Sequence, residues 1–451
     1  MSILLSSAYV LLIGCAQPRP FDDLWVQARP FRSELNTIRP PSDVLERDRT
    51  QPYTSQAVNP TGVITLHDAI SLALQQNPTL KANGWAVTAA EAEAMQLGRP
   101  RNPTVTLGVE NFGGPDRLQE LPRQTLRISQ VIELADKRNK RQRLGEAKQR
   151  LAAWDYEQQR IETAALTATQ YVSVFIAQER VALTQQQLGL ATTAYNIADE
   201  RATNNVGPGY ERDQATARVA LIQIEVDQAE QDLVAAKADL AASWGASLSR
   251  FDEVEGNLQT QVDLPSLETL QERLQESPRI ARWADEIALR HRNIALQRAN
   301  AVTDPSLGGG VRYLSELDEA VGVAELNWPL PLLDRNEHGI LAARLRLSQA
   351  IAQQDAAEAE ASRRLTRAYS RAIAGANILA TIKNKAIPAA TSAYQAAQEA
   401  YDAGQAEYLT ALDAERSLLE LKSLELNAIL AYHTAIIDLE HITASAIDTQ
   451  N

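Results

Sequence analysis

The sequence is poor in cysteine, in aromatic residues and in long apolar runs. Its 451 residues include one cysteine, Cys15, so no disulfide can form within the chain. Aromatic residues make up only 5% of the chain, whereas Ala, Gln, Leu and Glu are abundant, and this favours helices over sheets. No apolar run reaches the roughly 20 residues that a transmembrane helix needs. A chain of this kind that crosses a membrane would have to do so as a β-barrel.

The chain is acidic and lacks the motifs of common enzyme sites. Its formal net charge is −13, which argues against a nucleic-acid partner. It contains neither a glycine-rich loop of the type that holds phosphates nor an acid–base set in a distinguishing context. The sequence therefore predicts neither an enzyme nor a cofactor.

Histidine is also scarce. The five histidines are His67, His291, His338, His433 and His441. The last two are eight positions apart, about two helical turns, which is too far for two ligands of one metal ion. We interpret the histidines as solvated or packed side chains, and we expect no metal site in this chain.

The first residues resemble a bacterial lipoprotein signal. Residues 3–13 form a short apolar run that ends just before Gly14 and Cys15. This pattern predicts cleavage before Cys15 and attachment of lipid to its sulfur. No Lys or Arg precedes the run, which departs from the usual basic start of a signal, so a buried apolar segment with an incidental thiol stays an alternative. Ala16 after the cysteine fits the outer membrane.

Two long stretches repeat apolar residues with a period of 3.5, which is typical of coiled coils. They cover residues 136–204 and about 210–244, and between them Gly207, Pro208 and Gly209 cannot continue a helix. The pattern predicts an antiparallel helical hairpin over 136–244. At 1.5 Å per residue its first arm would reach roughly 100 Å.

Two shorter stretches alternate apolar and polar residues, which predicts strands. They are residues 104–112 and 124–132, separated by a loop rich in glycine and polar residues. Each is about 9–10 residues long, the length that a tilted membrane strand needs. The alternation is consistent with one face on lipid and the other on a polar lumen. A small soluble hairpin is the alternative.

The pattern of helices, strands and long hairpin occurs twice, at an offset of about 200 residues. Asn77-Pro78 precedes Ser277-Pro278 by 200 residues, and Asn102-Pro103 precedes Asp304-Pro305 by 202. This indicates an internal duplication rather than a repeat array. The predicted segments are a signal at 1–14, an extended arm at 15–64, a first repeat at 65–262, a second repeat at 263–445 and a tail at 446–451. Within the second repeat, the predicted strands are 306–315 and 320–328, and the predicted helical hairpin is 336–443.

Four strands per chain cannot close a barrel. They leave two unpaired edges, which lipid does not tolerate. The strand number therefore predicts an oligomer, and three copies would supply twelve strands, a size within the range of outer-membrane barrels.

Four motifs stand out at the junctions of the predicted helices and strands: RPRNP at 99–103, VENFGG at 109–114, SQVIELADKR at 129–138 and WPLPLLDRN at 328–336. They resemble the outer membrane factor family, the TolC-like proteins, and most of all its CzcC-like branch of heavy-metal exporters. The resemblance extends from Thr65 to about Ala444. The branch usually has Pro where Val131 stands and Gly at Ala135.

The resemblance implies a mostly α fold with a small β part, in a homotrimer. A twelve-stranded barrel would sit in outer-membrane lipid, and long coiled-coil hairpins would form an α-helical tunnel across the periplasm. The implied partners are a periplasmic adaptor, or membrane fusion protein, and through it an inner-membrane pump of the RND type. The implied cargo is heavy-metal cations. Multidrug efflux and type I secretion are alternatives within the family, and a coiled-coil scaffold without a pore is one outside it.

The resemblance also assigns roles to the two hairpin tips. In the family, a Val-Gly or Ala-Gly pair at each tip packs against the adaptor. Val206-Gly207 and Ala403-Gly404 match these positions, although Pro208-Gly209 departs from the usual small polar pair. The alternative is that these glycines only turn the chain.

A further implied site is a periplasmic gate on the helix that follows the second tip. Asp413 matches an inward acidic position of the family, whereas Thr410 stands where a second acid is common. Asp213 holds the similar position after the first tip. Threefold symmetry would bring three Asp413 side chains close together, where they would repel one another unless a cation bridges them. A solvated carboxylate on the helix surface is the alternative.

Overall fold

The computed structural model describes residues 59–110, 123–204, 208–256, 258, 263–315, 317–403 and 405–447. Its helices are α1 Leu66–Gln76, α2 Pro78–Leu97, α3 Lys137–Thr203, α4 Gly209–Ala242, α5 Leu267–Gln275, α6 Pro278–Asn300, α7 Glu337–Thr381, α8 Ile387–Asp402 and α9 Tyr408–Thr443. Its strands are β1 Gly62–Ile64, β2 Thr104–Glu110, β3 Arg123–Val131, β4 Phe251–Val254, β5 Ser306–Leu314 and β6 Glu319–Asn327. Cys15 and the residues before position 59 lie outside the described residues.

The first two helices begin where the sequence provides caps. The Thr65 hydroxyl accepts a hydrogen bond from the Asp68 N–H, and the Asp68 carboxylate accepts one from the Thr65 N–H, which together form a capping box. Asn77 caps α2 through the Leu80 N–H at 2.9 Å, and Pro78 follows it at the first helical position. The chain therefore bends at residue 77 and brings α2 onto α3.

The first long hairpin consists of α3, with 67 residues, and α4, with 34. Gly145 allows α2 to approach α3 closely, because a Cβ at this position would lie 2.6 Å from Cα of Ala94. No helix within the described ranges is both long and apolar enough to cross a membrane.

The core of the first repeat surrounds Tyr171, in the middle of α3. Tyr171, Trp244 and Phe251 are almost fully buried there. The Tyr171 hydroxyl lies 3.0 Å from the Ile64 carbonyl oxygen and also contacts that of Glu255. Burial raises the pKa of Tyr171 to about 12, so its proton stays available for donation to these carbonyls. The tyrosine thus ties the middle of the long helix to the C-terminal end of a small parallel sheet, where its two strands finish.

That small sheet was not predicted. The expected extended arm at 15–64 ends in β1, and β4 lies near the end of the predicted first repeat at 65–262; the two strands pair in parallel. They are only three and four residues long, which is too short for a period-2 pattern to show. Their burial against the Tyr171 core holds them in place.

The second long hairpin is interrupted in its first arm. A π-helical turn at Ile382–Ala386 separates α7 from α8, and Pro388 is the second residue of α8. Proline has no N–H to bond the carbonyl four residues earlier, and its ring crowds that carbonyl, so the wider turn accommodates it. The core of this repeat contains Leu365, Tyr432 and Leu439, all almost fully buried.

The four longer strands form one antiparallel sheet in the order β2-β3-β5-β6. β3 pairs with β5 from Arg123 opposite Leu314 to Val131 opposite Ser306, so this pair joins the two repeats. Gly310 allows the close approach, because a Cβ there would lie 2.1 Å from the Leu126 carbonyl oxygen. Within the described residues, β2 and β6 each pair with one neighbour and form the two edges.

The two faces of this sheet differ sharply in polarity. Cross-strand partners place most of the exposed apolar side chains on one face, with Val321 on the other: Val105, Leu107, Val109, Leu126, Ile128, Leu307, Val311, Tyr313 and Leu326. The other face holds Thr106, Glu110, Arg123, Thr125, Arg127, Ser129, Arg312 and Glu325. Because side chains alternate along a strand, one face suits lipid and the other suits water.

Candidate gate and docking tips

The two hairpin tips are only partly described. At the first tip α3 ends at Thr203, and α4 starts at Gly209 with Pro208 before it in an extended conformation. Val206 and Gly207 lie outside the described residues. At the second tip the exposed Ala403 follows the end of α8, and Gly404 lies outside the described residues. The adaptor contact at these positions therefore stays a prediction.

Just behind the tips, the two hairpins pack against each other through small residues. The buried side chains Ala198, Ala215, Tyr401 and Ala411 come from α3, α4, α8 and α9 respectively, and we call them the tip cluster. The Arg201 guanidinium lies over the Tyr401 ring, 5.2 Å from its centroid. Because each of the four long helices contributes one residue, a movement of either tip must change this cluster.

The predicted gate residues lie on exposed helix surfaces in the single chain. Asp413 and Thr410 are exposed on α9. Asp213 is exposed on α4, where its carboxylate lies 3.7 Å from the Arg212 guanidinium. In the described part of the chain, Asp413 has no ion pair of this kind. The structure therefore gives the two aspartates different surroundings, because no cationic group of the described residues lies within ion-pair distance of the Asp413 carboxylate.

Sequence reasoning missed Glu415, the buried acid near the gate. Glu415 is 7% exposed, and its Oε1 has no hydrogen-bond partner among the described residues. Burial raises the pKa of the Glu415 carboxyl, and Arg218 on α4 opposes this shift. The sequence shows only that Glu415 follows Ala411 by four positions and therefore lies on the same helix face, and packing shows that this face is buried.

A small cavity adjoins this glutamate. Its volume is about 70 Å³, and it lies between α3, α8 and α9. Polar lining comes from Thr193, Tyr394 and Gln398 besides Glu415. Most of the remaining lining is apolar or aromatic, so the carboxyl sits in surroundings that disfavour its charge.

The polar face of the sheet is the second candidate functional surface. Arg127 on β3 forms an ion pair with Glu325 on β6. Arg312 donates from Nε to the Thr125 hydroxyl at 3.0 Å. The central strands therefore present arginines, whose charge would influence which ions pass along this face.

The two histidines of α9 are packed side chains. His433 Nε2 lies 2.7 Å from the Leu258 carbonyl oxygen, and burial lowers the His433 pKa. Burial lowers the pKa of His441 as well, with Arg279 adding to the effect. Among the described residues, no group of three or more His, Cys, Asp or Glu side chains is placed to hold a metal ion.

The sequence family follows from comparison with known proteins. A family model described as outer membrane efflux protein matches residues 69–246 and 269–445. The chain belongs to this family. The predicted family is therefore confirmed, and the protein is an outer-membrane component of an efflux system. The match also falls into two segments, one in each of the predicted repeats.

Two curated relatives belong to metal-resistance systems. The chain is similar to the cobalt-zinc-cadmium resistance protein CzcC of Cupriavidus metallidurans, with 29% identity over 80% of this chain and 85% of that protein. It is also similar to the nickel-cobalt-cadmium resistance protein NccC of Alcaligenes xylosoxydans xylosoxydans, with 28% identity over 67% of this chain and 70% of that protein. The predicted likeness to the CzcC-like branch is confirmed.

CusC has the same fold, and its crystal structures concern the conformational changes that accompany its folding and the formation of its transmembrane channel. The TM-score is 0.72 at 16% identity, and the match covers 89% of this chain and 99% of CusC. This likeness confirms the predicted fold class of long helical hairpins with a small β part.

Proposed function

We propose that three copies of this outer membrane efflux protein form a channel that exports divalent heavy-metal cations. The channel would combine a twelve-stranded barrel with a tunnel of long helices. The observation that carries the proposal is the sheet, which has one apolar face, one polar face and two edges that pair with no further strand of the described residues. Such edges need further strands before the sheet can sit in lipid.

A non-pore scaffold would not need this sheet. A soluble sheet that exposes Leu107, Leu126, Leu307 and Leu326 on one face would leave a large apolar patch in water, which soluble proteins rarely do. The length of α3, 67 residues or roughly 100 Å, suits a tunnel that spans the periplasm.

Metal cations are the cargo that the relatives support. CzcC and NccC are named for resistance to cobalt, zinc, cadmium and nickel. No resident metal site is needed for this role, because a passive conduit leaves selection of the cargo to the pump. A periplasmic adaptor would bind the tips at 206–207 and 403–404 and connect the channel to an inner-membrane pump of the RND type.

Two further features belong to this proposal. Lipid on Cys15 would anchor each chain to the outer membrane, and loss of fatty-acid labelling in Cys15→Ser would test it.

Asp413 would line the periplasmic end of the tunnel, with Thr410 one turn before it and Asp213 after the first tip. Asp413 is exposed and forms no ion pair with the described residues, which supports a role in the assembled tunnel rather than within one chain.

Deletion of the gene in its host tests the cargo. We expect the minimal inhibitory concentrations of Co²⁺, Zn²⁺, Cd²⁺ or Ni²⁺ to fall several-fold, with those of hydrophobic drugs unchanged, and the intact gene on a plasmid to restore them. A fall in the minimal inhibitory concentrations of drugs alone would indicate that the channel serves multidrug efflux and not metal export. Loss of a secreted protein from the medium, with unchanged resistance, would favour type I secretion.

A further inference from the structure

A cavity behind the tip cluster contains a buried carboxyl group. It has a volume of about 70 Å³ and lies between α3, α8 and α9, and Tyr401 and Ala411 belong both to its lining and to the tip cluster. A single water molecule needs a cavity of only about 10–15 Å³, so this one admits an ion together with water. Thr193 lines the cavity and is itself exposed, so ions reach the cavity from solvent without unfolding of the helices.

The carboxyl group in this cavity has no counterion within the described residues. Glu415 is 7% exposed, and its Oε1 accepts no hydrogen bond there. It is the only Asp, Glu, Lys, Arg or His side chain that lines the cavity. Arg218 on α4 acts on the pKa of Glu415 from a distance but forms no ion pair with it in the described part of the chain. A buried carboxylate without a partner is unfavourable, so it must take up a proton or a cation.

The other polar groups of the lining present oxygen atoms. The Thr193 hydroxyl donates to the Gly189 carbonyl at 2.9 Å, so its oxygen offers lone pairs to the cavity and no proton to Glu415. Gln398 contributes an amide oxygen, and two tyrosines contribute phenolic oxygens. One carboxylate with several neutral oxygens is a donor set that suits a hard cation.

We propose that this cavity binds a monovalent alkali-metal cation, with Glu415 as its charged ligand and oxygens of Thr193, Tyr394, Gln398 and Tyr401 as its neutral ligands. These oxygens replace part of the hydration shell of the ion, as backbone carbonyls do in potassium channels. Every ligand comes from one chain, so the site does not depend on the proposed trimer.

The charge and the type of the ligands select the ion. One positive charge balances the one carboxylate, whereas a divalent cation leaves an uncompensated charge in a buried site, and the Arg218 guanidinium adds repulsion. Neither cysteine nor histidine lines the cavity, so the site lacks the ligands that Zn²⁺ and Co²⁺ prefer. The site is therefore separate from the path of the proposed cargo.

The bound cation joins the two hairpins. Thr193 lies on α3 of the first hairpin, whereas Tyr394 and Glu415 lie on α8 and α9 of the second. An ion held between them stabilises the packing of the hairpins just behind the tips. Because it binds only where the folded helices meet, it should raise the stability of the folded protein.

Thermal unfolding of the full-length protein in detergent tests the site. Potassium chloride is compared with choline chloride at equal concentration and pH 8, because the methyl groups of choline prevent coordination by oxygens. We expect the parent to unfold a few degrees higher in potassium chloride. Glu415→Gln should lose this shift with the charge, and Thr193→Val, which removes one neutral oxygen, should reduce it. Glu420→Gln is the matched control, since this exposed glutamate pairs with Arg416, and it should keep the full shift.

A crystal soaked in thallium(I), which takes monovalent cation sites and scatters anomalously, locates the ion. We expect an anomalous peak beside the Glu415 carboxylate in the parent and none in Glu415→Gln. Equal midpoints of the parent in the two salts would overturn the proposal, because Glu415 would then hold a proton or pair with Arg218. A shift that persists in Glu415→Gln would place the ion elsewhere. A larger shift with calcium chloride at equal ionic strength, lost in Glu415→Gln, would overturn the monovalent assignment.

Discussion

Nζ of Lys137 lies 2.5 Å from Oδ1 of Asp304. Lys137 is the first residue of the first long helix, and Asp304 precedes β5, so this pair joins the two repeats where helices meet the sheet. Both side chains are largely buried, and Asp304 also accepts a hydrogen bond from the Leu134 N–H. The position of the helical hairpin relative to the strands therefore depends on this contact.

Asp304→Ala should destabilise the protein strongly, because it leaves the Lys137 ammonium buried without its partner. Breaking a buried pair costs about 3–5 kcal/mol. Asp155→Ala is the matched control, since its pair with Arg282 is half exposed and such pairs contribute about 0–1 kcal/mol. Thermal unfolding in detergent, followed by circular dichroism, measures both. Equal midpoints for the two variants would show that the Lys137 pair does not hold the junction.

The Asp304 carboxyl should also make stability depend on pH. Burial acts to raise its pKa, but hydrogen bonds from Lys137 and the Leu134 N–H outweigh this and hold the pKa below its usual value. The contribution is therefore present above the usual aspartate pKa of about 3.9 and is lost as the pH falls through the lower folded value. The Asp304→Asn variant should therefore lose less stability than the parent as the pH falls through this range. An unchanged acid profile in Asp304→Asn would contradict the argument.

Glu415→Gln should remove a pH dependence of the opposite sign. The raised pKa of Glu415 means that the folded state favours the neutral acid. Stability is then fully present below the usual glutamate pKa of about 4.3 and falls as the pH rises through the folded value. We expect parent and variant to unfold at similar temperatures near pH 4, and the variant to unfold at a higher temperature at pH 8.

Glu420→Gln provides the control for Glu415, because it changes an exposed glutamate on the same helix that pairs with Arg416. It should shift the midpoint little at either pH. If Glu415→Gln behaves like this control, the Glu415 carboxylate must be solvated in the assembled channel.

Asp413→Ala should alter conduction without altering assembly. Removing three like charges from a narrow part of the tunnel should change single-channel conductance and weaken block by divalent or trivalent cations. Glu420→Gln is the matched control, since this exposed glutamate lies on the same helix and pairs with Arg416. Planar lipid bilayers measure both variants. If Asp413→Ala conducts and is blocked like the parent, Asp413 is a surface carboxylate and the gate lies elsewhere near the tips.

Much of this architecture could be predicted from the sequence, because its signals are long. The period of 3.5 over residues 136–244 and the alternation at 104–112 involve many residues, and the structure has long helices at Lys137–Thr203 and Gly209–Ala242 and a strand at Thr104–Glu110. The π-helical turn at residues 382–386 could not be predicted in this way. Pro388 is visible in the sequence, but whether a helix kinks, ends or widens into a π turn depends on its neighbours.

The candidate site was less predictable, since burial decides its chemistry. The sequence shows Asp413 and Glu415 as two acids on one helix, and only packing reveals that Asp413 is exposed while Glu415 is buried between α3, α8 and α9. The pairing of β3 with β5 was also beyond sequence reasoning, because it joins residues more than 170 positions apart. Local patterns carry no information on such contacts.

The central claim is that one chain supplies only a third of a membrane channel. The most direct measurement is the mass of the purified protein in detergent, by native mass spectrometry or by analytical ultracentrifugation with detergent correction. We predict an assembly of about three times the chain mass of 49.5 kDa, because β2 and β6 of each copy need partners. A folded monomer that is stable in detergent, with its strand edges unpaired, would contradict the account.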